Sequence, residues 1–150
     1  MLCYGLILIM ASLSGTQVAL ATLGGSIDSI KTDRHVLSAQ PGATTVRKAY
    51  TVHEIVSDAV SIREYVSPAG IIFGIAWNGL IHPDLTPLLG SYAGDYQKAL
   101  TRSTRKPGRR FRQIRTNNIV VEKWGHMRNL QGRAYVPGLI PQGVTTNEIK

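Results

Sequence analysis

The side chains best suited to chemistry form a basic segment, residues 98–115. These 18 residues carry eight Lys or Arg side chains, and no acidic residue lies between Asp95 and Glu122. The formal net charge is +8, so the basic residues outside the segment balance all nine Asp and Glu residues. A local excess of positive charge attracts phosphates and other anions. We therefore predict six anion-binding residues here: Arg102, Arg105, Lys106, Arg109, Arg110 and Arg112.

Two glutamates and a histidine are the candidates for catalysis. If Val56 faces Val60 across a hairpin, Glu54 and Glu64 become diagonal neighbours on one face of a sheet. Two carboxylates close together can divide the roles of general acid and general base, and His53 is a neighbouring proton carrier. In the alternative arrangement, one carboxylate lies at the rim of the sheet and the other in solvent.

The remaining motifs predict neither a metal nor a cofactor. His53-Glu54 is not followed by a second His in the spacing of a zinc protease, and no phosphate-binding glycine loop, dinucleotide fingerprint or G-x-S-x-G motif occurs. The chain has one cysteine, Cys3, which excludes a disulfide scaffold. The histidines lack the spacing of a metal motif: His35, His53, His82 and His126.

The first 21 residues have the pattern of an export signal. No charged side chain precedes Asp28, and an apolar run, residues 6–13, is followed by Ala19-Leu20-Ala21. Signal peptidase accepts small side chains at two positions of such an A-x-A pattern. We predict a cleaved signal peptide over residues 1–21, cut after Ala21, and a periplasmic or secreted product. The alternative is an uncleaved membrane anchor over residues 2–23.

Short alternating segments predict hairpins in the middle and at the end of the chain. The predicted strands are Tyr50–Val56, Val60–Val66, Ile71–Trp77, Phe111–Thr116, Ile119–Trp124, Met127–Leu130 and Arg133–Val136. Ser67–Gly70 is a turn with a glycine at positive φ, and Val66 is expected to face Ile71, which places Ile62 opposite Ile75. Phe73 then shares a face with Ile62. Asn117-Asn118 and Gln131-Gly132 are the later turns.

One helix is predicted between these groups of strands. Asp84 is a suitable N-cap, and apolar residues follow at helical spacing as far as about Thr101. With 43% hydrophobic and 17% charged residues, the chain has the composition of a folded domain rather than a disordered one. We predict an α+β fold with an antiparallel sheet of about five to seven strands in hairpins and one main helix on one face. Residues 22–48 are predicted as an extended arm and residues 49–150 as the single domain.

The sequence also resembles a known family. The residues that carry the resemblance are the run from Arg63 to Trp77, Pro83-Asp84-Leu85, Gly125-His126-Met127, Gly132–Pro137 and the leader before Leu23-Gly24-Gly25. They are similar to a family of bacterial exported proteins catalogued as domain of unknown function twenty-eight forty-four. The resemblance implies export and a single domain, and it carries no activity.

These observations favour a non-enzymatic exported module of the cell envelope that binds an anionic envelope component or polymer through its basic segment. Nucleic acid is a less expected partner because export removes the chain from the cytoplasm, and membrane contact is expected only through an uncleaved leader. In the alternative interpretation, the basic segment binds no partner and is a solvated loop whose cations stabilise the C-terminal end of a helix. The alternatives are a small periplasmic hydrolase or lyase using the paired carboxylates, and a structural subunit of a surface assembly.

Overall fold

An antiparallel sheet organises the structure, a computed structural model that describes residues 23–27, 40–104 and 110–150. Within those residues, seven strands pair in the order β1-β2-β3-β4-β7-β6-β5. Two helical segments, α1 and α2, connect β4 to β5, and the predicted α+β class is confirmed. The elements are β1 (Gln40–Val46), β2 (Thr51–Val56), β3 (Val60–Val66), β4 (Ile72–Gly79), α1 (Leu85–Leu89), α2 (Ala93–Arg102), β5 (Arg112–Arg115), β6 (Val120–His126) and β7 (Asn129–Tyr135).

The helical region occupies the predicted span but contains a turn. The carboxylate of Asp84 accepts a hydrogen bond from the Thr86 amide at 2.9 Å, as expected for an N-cap. A 3₁₀ turn over Gly90–Tyr92 then separates α1 from α2. Gly90 has a φ of 50°, which a residue without a side chain adopts readily. Within the described residues, neither helix has the length and apolarity needed to cross a membrane.

The hairpin between β3 and β4 is shifted by two residues from its predicted register. Ile62 lies opposite Trp77 rather than Ile75. A bulge makes Phe73 an extra residue in β4, because Tyr65 pairs with Gly74 while Val66 pairs with Ile72. The extra residue reverses the alternation, so Phe73 lies on the face opposite to Ile62, and its predicted position was wrong.

One predicted turn was also wrong. The chain turns at Met127-Arg128, with Arg128 at a φ of 66°, and Gln131 and Gly132 lie inside β7. Gly132 sits in the strand because the ring of Trp77 from the adjacent β4 occupies the space above it. The glycine therefore permits a close approach between the Trp77 ring and the backbone of β7. In the sequence alone, Gln131-Gly132 has the pattern of a turn.

Each face of the sheet has its own cover. On the helix face, Ile62 and Trp77 belong to one apolar cluster with Leu88 and Leu89 of α1. On the opposite face, Ile149 is fully buried and belongs to one apolar cluster with the rings of Tyr50, Tyr65 and Phe73. We call residues 137–150 the tail and this second side the tail face. Because both faces are covered, the central strands β3 and β4 are buried almost throughout.

The predicted N-terminal arm contributes to the fold at two places. Leu23 is 1% exposed, and its amide donates to the Leu88 carbonyl at 3.0 Å. Further along, β1 pairs with β2 as an edge strand whose residues are all exposed. The predicted signal peptide, residues 1–21, lies outside the described residues.

Substituting Gly132 tests the packing of Trp77 against β7. In Gly132→Ala the new Cβ would overlap Cζ2 of Trp77 and lie 2.6 Å from the Glu122 carbonyl oxygen. We expect the free energy of unfolding to fall by about 1–3 kcal/mol in urea denaturation, as for other overpacked sites. Gly138→Ala is the control, because its Cβ would meet no atom within 4 Å. Equal stability of the two variants would contradict this packing.

Candidate anion-binding groove

The sheet brings part of the basic segment together at one groove. Helix α2 and the turn between β5 and β6 border an open cavity of about 490 Å³. We call it the α2 groove. Among the described residues, its basic side chains are Lys98 and Arg102 from α2 and Arg115 from the end of β5, and its one acid is Asp95. Residues separated by up to 23 positions in the sequence, Asp95 and Asn118, therefore line one groove.

The end of α2 explains why positive charge collects at this place. The last carbonyl groups of a helix lack partners within the helix and carry partial negative charge, which favours cations nearby. Arg102 lies in the last turn of α2. Arg112 approaches from β5, and its guanidinium donates to the Ser103 carbonyl at 3.5 Å. This hydrogen bond gives Arg112 a structural role at the end of α2 in addition to its contribution of positive charge.

The three groove cations are available to a ligand. Lys98, Arg102 and Arg115 are exposed, and none forms an ion pair with another part of the described chain. In contrast, Arg133 is bound to Glu122 at 2.5 Å. Asp95, the groove acid, accepts a hydrogen bond from Asn118 at 3.5 Å. An anion entering the groove would therefore meet uncommitted cations.

Lys123 shows how closely the positive charges are packed beside the groove. It lies opposite Arg112 in the β5–β6 ladder, and its ammonium is 5.8 Å from the centre of the Tyr96 ring. Burial lowers the pKa of Lys123, and the charge of Arg112 lowers it further. Burial is thus the main cause of the lowered pKa of Lys123, and the neighbouring charge of Arg112 adds to it.

The six predicted anion-binding residues have different positions. Arg102 lines the groove, Arg112 lies against the end of α2, and Arg110 is exposed. Arg105, Lys106 and Arg109 lie outside the described residues. The prediction did not include the polar side of the groove, whose residues belong to the hairpin turn and the helix end: Ser103, Thr116, Asn117 and Asn118. The sequence predicted this turn from its two asparagines. It contained no signal that the turn lies next to α2.

The predicted pairing of the two glutamates was wrong. Glu54 lies opposite Arg63 and Glu64 lies opposite His53. The β2–β3 register therefore differs from the expected one by one residue, which turns one of the two glutamates to the other face of the sheet. Glu54 is partly exposed, accepts from Ser61 at 2.9 Å and lies 3.8 Å from the Arg63 guanidinium. Glu64 is 1% exposed.

His53 instead belongs to a row of polar residues across three strands. Thr44 of β1, His53 of β2 and Glu64 of β3 are successive cross-strand partners on one face. The Thr44 hydroxyl lies 3.3 Å from Nδ1 of His53. The register thus joins a hydroxyl, an imidazole and a carboxylate, which is the composition of a nucleophile with its base and an orienting acid. Among the described residues, no three His, Cys, Asp or Glu side chains are grouped as metal ligands.

Comparisons with known proteins identify a family and a distant structural likeness. A family model described as protein of unknown function (DUF2844) matches residues 19–149. No curated protein matches the chain. A crystal structure of a cysteine-rich secretory protein from Staphylococcus aureus is similar with a TM-score of 0.48 and 11% sequence identity. The likeness covers 78% of this chain and 44% of that protein, so this chain spans less than half of its length.

Replacing each glutamate tests their assignment to opposite faces. We expect Glu64→Ala to reduce the free energy of unfolding by about 2–4 kcal/mol, because it empties a buried site and removes a polar partner. Glu54→Ala is the matched control and should cost less than about 1 kcal/mol, since its carboxylate is partly exposed. Urea denaturation measures both. A larger loss for Glu54→Ala would contradict the observed register.

Proposed function

The chain belongs to the DUF2844 family of proteins of unknown function, and we propose that it is a non-enzymatic binding module that holds an anionic polymer or surface in its α2 groove. The observation that carries this proposal is the convergence of three exposed cations on one cavity. Their charges are not compensated by ion pairs within the described residues. Asparagine and hydroxyl side chains beside them supply donors for further hydrogen bonds to oxygen atoms.

The shape of the groove favours an extended ligand over a small one. The groove is open along the surface between α2 and the β5–β6 turn, and Arg112 lies beside it at the Ser103 carbonyl. Separate cations along a surface bind repeated charges of one polymer more tightly than isolated ions, because each contact releases bound counterions.

We assign the partner to the cell envelope on the basis of the leader. The uncharged N-terminal stretch and its A-x-A pattern favour export to the periplasm or beyond. Anionic polymers and lipid headgroups are the abundant partners of a basic protein in that location. N-terminal sequencing of the protein from its native host tests the expected cut after Ala21.

A salt series with a polyanion tests the groove. We expect binding to long-chain polyphosphate to weaken steeply with salt. Lys98→Gln with Arg102→Gln should lower affinity about tenfold or more and reduce the salt slope by about 2, since each lost phosphate contact lowers it by about 1. Arg128→Glu lowers the net charge by the same two units outside the groove and should have a smaller effect. Fluorescence anisotropy with labelled polymer measures all three proteins.

Two results would reject the groove as the binding site. One is an affinity that does not depend on salt. The other is an equal loss of affinity in the groove variant and the charge-matched control, which would indicate attraction by net charge alone. Circular dichroism of each variant checks that the fold is retained, as expected for exposed side chains.

A hydrolase is the second candidate, and the row of Thr44, His53 and Glu64 favours it. In this reaction Oγ1 of Thr44 attacks an ester carbonyl carbon while His53 takes the hydroxyl proton. The imidazolium then gives that proton to the leaving alkoxide, which departs as an alcohol, and water releases the acyl group from Thr44. Glu64, opposite His53, stabilises the imidazolium.

Hydrolysis of 4-nitrophenyl acetate tests this candidate. We expect Thr44→Val and His53→Gln each to remove most of the activity, while Thr45→Val, on the neighbouring position of β1, retains it. Mass spectrometry of the wild-type protein should show an acetyl group on Thr44. Activity that survives Thr44→Val would exclude this hydroxyl as the nucleophile.

A further inference from the structure

We infer that a second cavity, on the tail face, binds a small organic anion with an apolar body and a carboxylate or phosphate group. The cavity has a volume of about 640 Å³ and lies between the tail and the corner that joins β1 to β2. We call it the tail pocket. Its size lies within the range of small-molecule sites in proteins. The sequence motifs did not indicate it, because its walls come from four separate parts of the chain.

The floor of the tail pocket consists mainly of buried aromatic rings. Tyr50 and Tyr65 are buried, and their ring centroids lie 5.8 Å apart. Both rings contact Phe73 in edge-to-face arrangements. Val52 and Val144 extend this floor toward the strand and the tail. Such a preformed apolar surface favours the body of an organic ligand over water.

The rim of the pocket is basic, and most of its charge is uncommitted. Arg63 is already occupied, because it donates to the Lys150 carbonyl oxygen at 2.6 Å and lies near Glu54. Arg47, Lys48 and Lys150 are exposed and form no ion pair with other described residues. These three side chains can therefore close around an anionic group.

Glu148 determines which side of the pocket receives the anionic group. Its carboxylate accepts from the Thr145 amide at 2.8 Å and from the Tyr50 hydroxyl at 3.0 Å. These hydrogen bonds lower the pKa of Glu148, so it stays ionised at neutral pH. An ionised carboxylate repels another anion. The charge of Arg47 also lowers the pKa of Glu148, so Arg47 is shared between this carboxylate and an incoming anion. The ligand's charged group is thus directed to the basic rim, with the apolar body over the tyrosines.

This composition separates the tail pocket from the α2 groove. The groove has an open polar surface suited to repeated charges, whereas the pocket combines one apolar floor with one group of cations. The two sites also lie on different elements, since α2 packs on the helix face and the tail covers the opposite face. Binding at one site is therefore expected to be independent of the other.

Calorimetry with four probes tests the inference. Phenyl phosphate and benzoate carry both a ring and an anionic group and represent the phosphate and carboxylate sources. Inorganic phosphate has only the charge, and benzyl alcohol has only the ring. We expect at least one of the two ring-bearing anions to bind at least tenfold more tightly than inorganic phosphate and benzyl alcohol. Which one binds more tightly identifies the preferred group.

Variants connect that binding to the tail pocket. Arg47→Gln with Lys48→Gln should weaken the preferred probe at least tenfold, and Val144→Asp should weaken it by introducing a charge at the floor. The groove variant, Lys98→Gln with Arg102→Gln, is the control. Its affinity for the preferred probe should equal that of the wild type, whatever its affinity for polyphosphate. The inference is overturned if neither ring-bearing anion binds, if inorganic phosphate binds equally well, or if the groove variant loses the probe while the pocket variants keep it.

Discussion

Arg133 connects the sheet to the segment that covers its second face. Its guanidinium donates to Glu122 at 2.5 Å across the β6–β7 ladder and to the Thr146 carbonyl oxygen in the tail. Arg133 and Glu122 are both largely buried, so each charge depends on the other for compensation. Removing one partner of a buried pair typically costs about 3–5 kcal/mol, because the remaining charge is left uncompensated. The tail is thus hydrogen-bonded to a side chain that this buried ion pair holds in place.

The attached tail completes the core. Ile149 packs over Gly74, where an added Cβ would lie 3.0 Å from its side chain. The Tyr65 hydroxyl donates to the Lys150 carbonyl oxygen at 2.7 Å and accepts from the Lys150 amide. A sheet with one bare apolar face would expose its aromatic rings to water. The covered face instead provides the floor and one wall of the tail pocket. The helix face is covered by α1 and α2, and the end of α2 provides the groove.

Local chemistry accounts for the features that the sequence predicted correctly. Asp84 caps the helical region because its carboxylate reaches an amide two residues away. Gly70 closes the β3–β4 turn with a φ of 77°. Asn117 and Asn118 form the predicted turn between β5 and β6, but neither has a positive φ; the Thr116 hydroxyl closes the turn by accepting from the amides of Asn118 and Ile119. Each of these depends on residues close together in the chain. The failures depend on pairing between strands, where a shift of one residue moves Glu64 to the face opposite to Glu54.

By itself, the sequence determined the α+β class, the composition of a folded domain and the concentration of positive charge in residues 98–115, because these follow from residue types and short spacings. The tertiary structure alone decided which charges share a cavity. It placed Lys98 beside Arg115, joined His53 to Thr44 and Glu64, and laid the tail over Tyr50 and Tyr65. These contacts join residues distant in sequence, and they arise from the packing of both faces of the sheet, which no local pattern encodes.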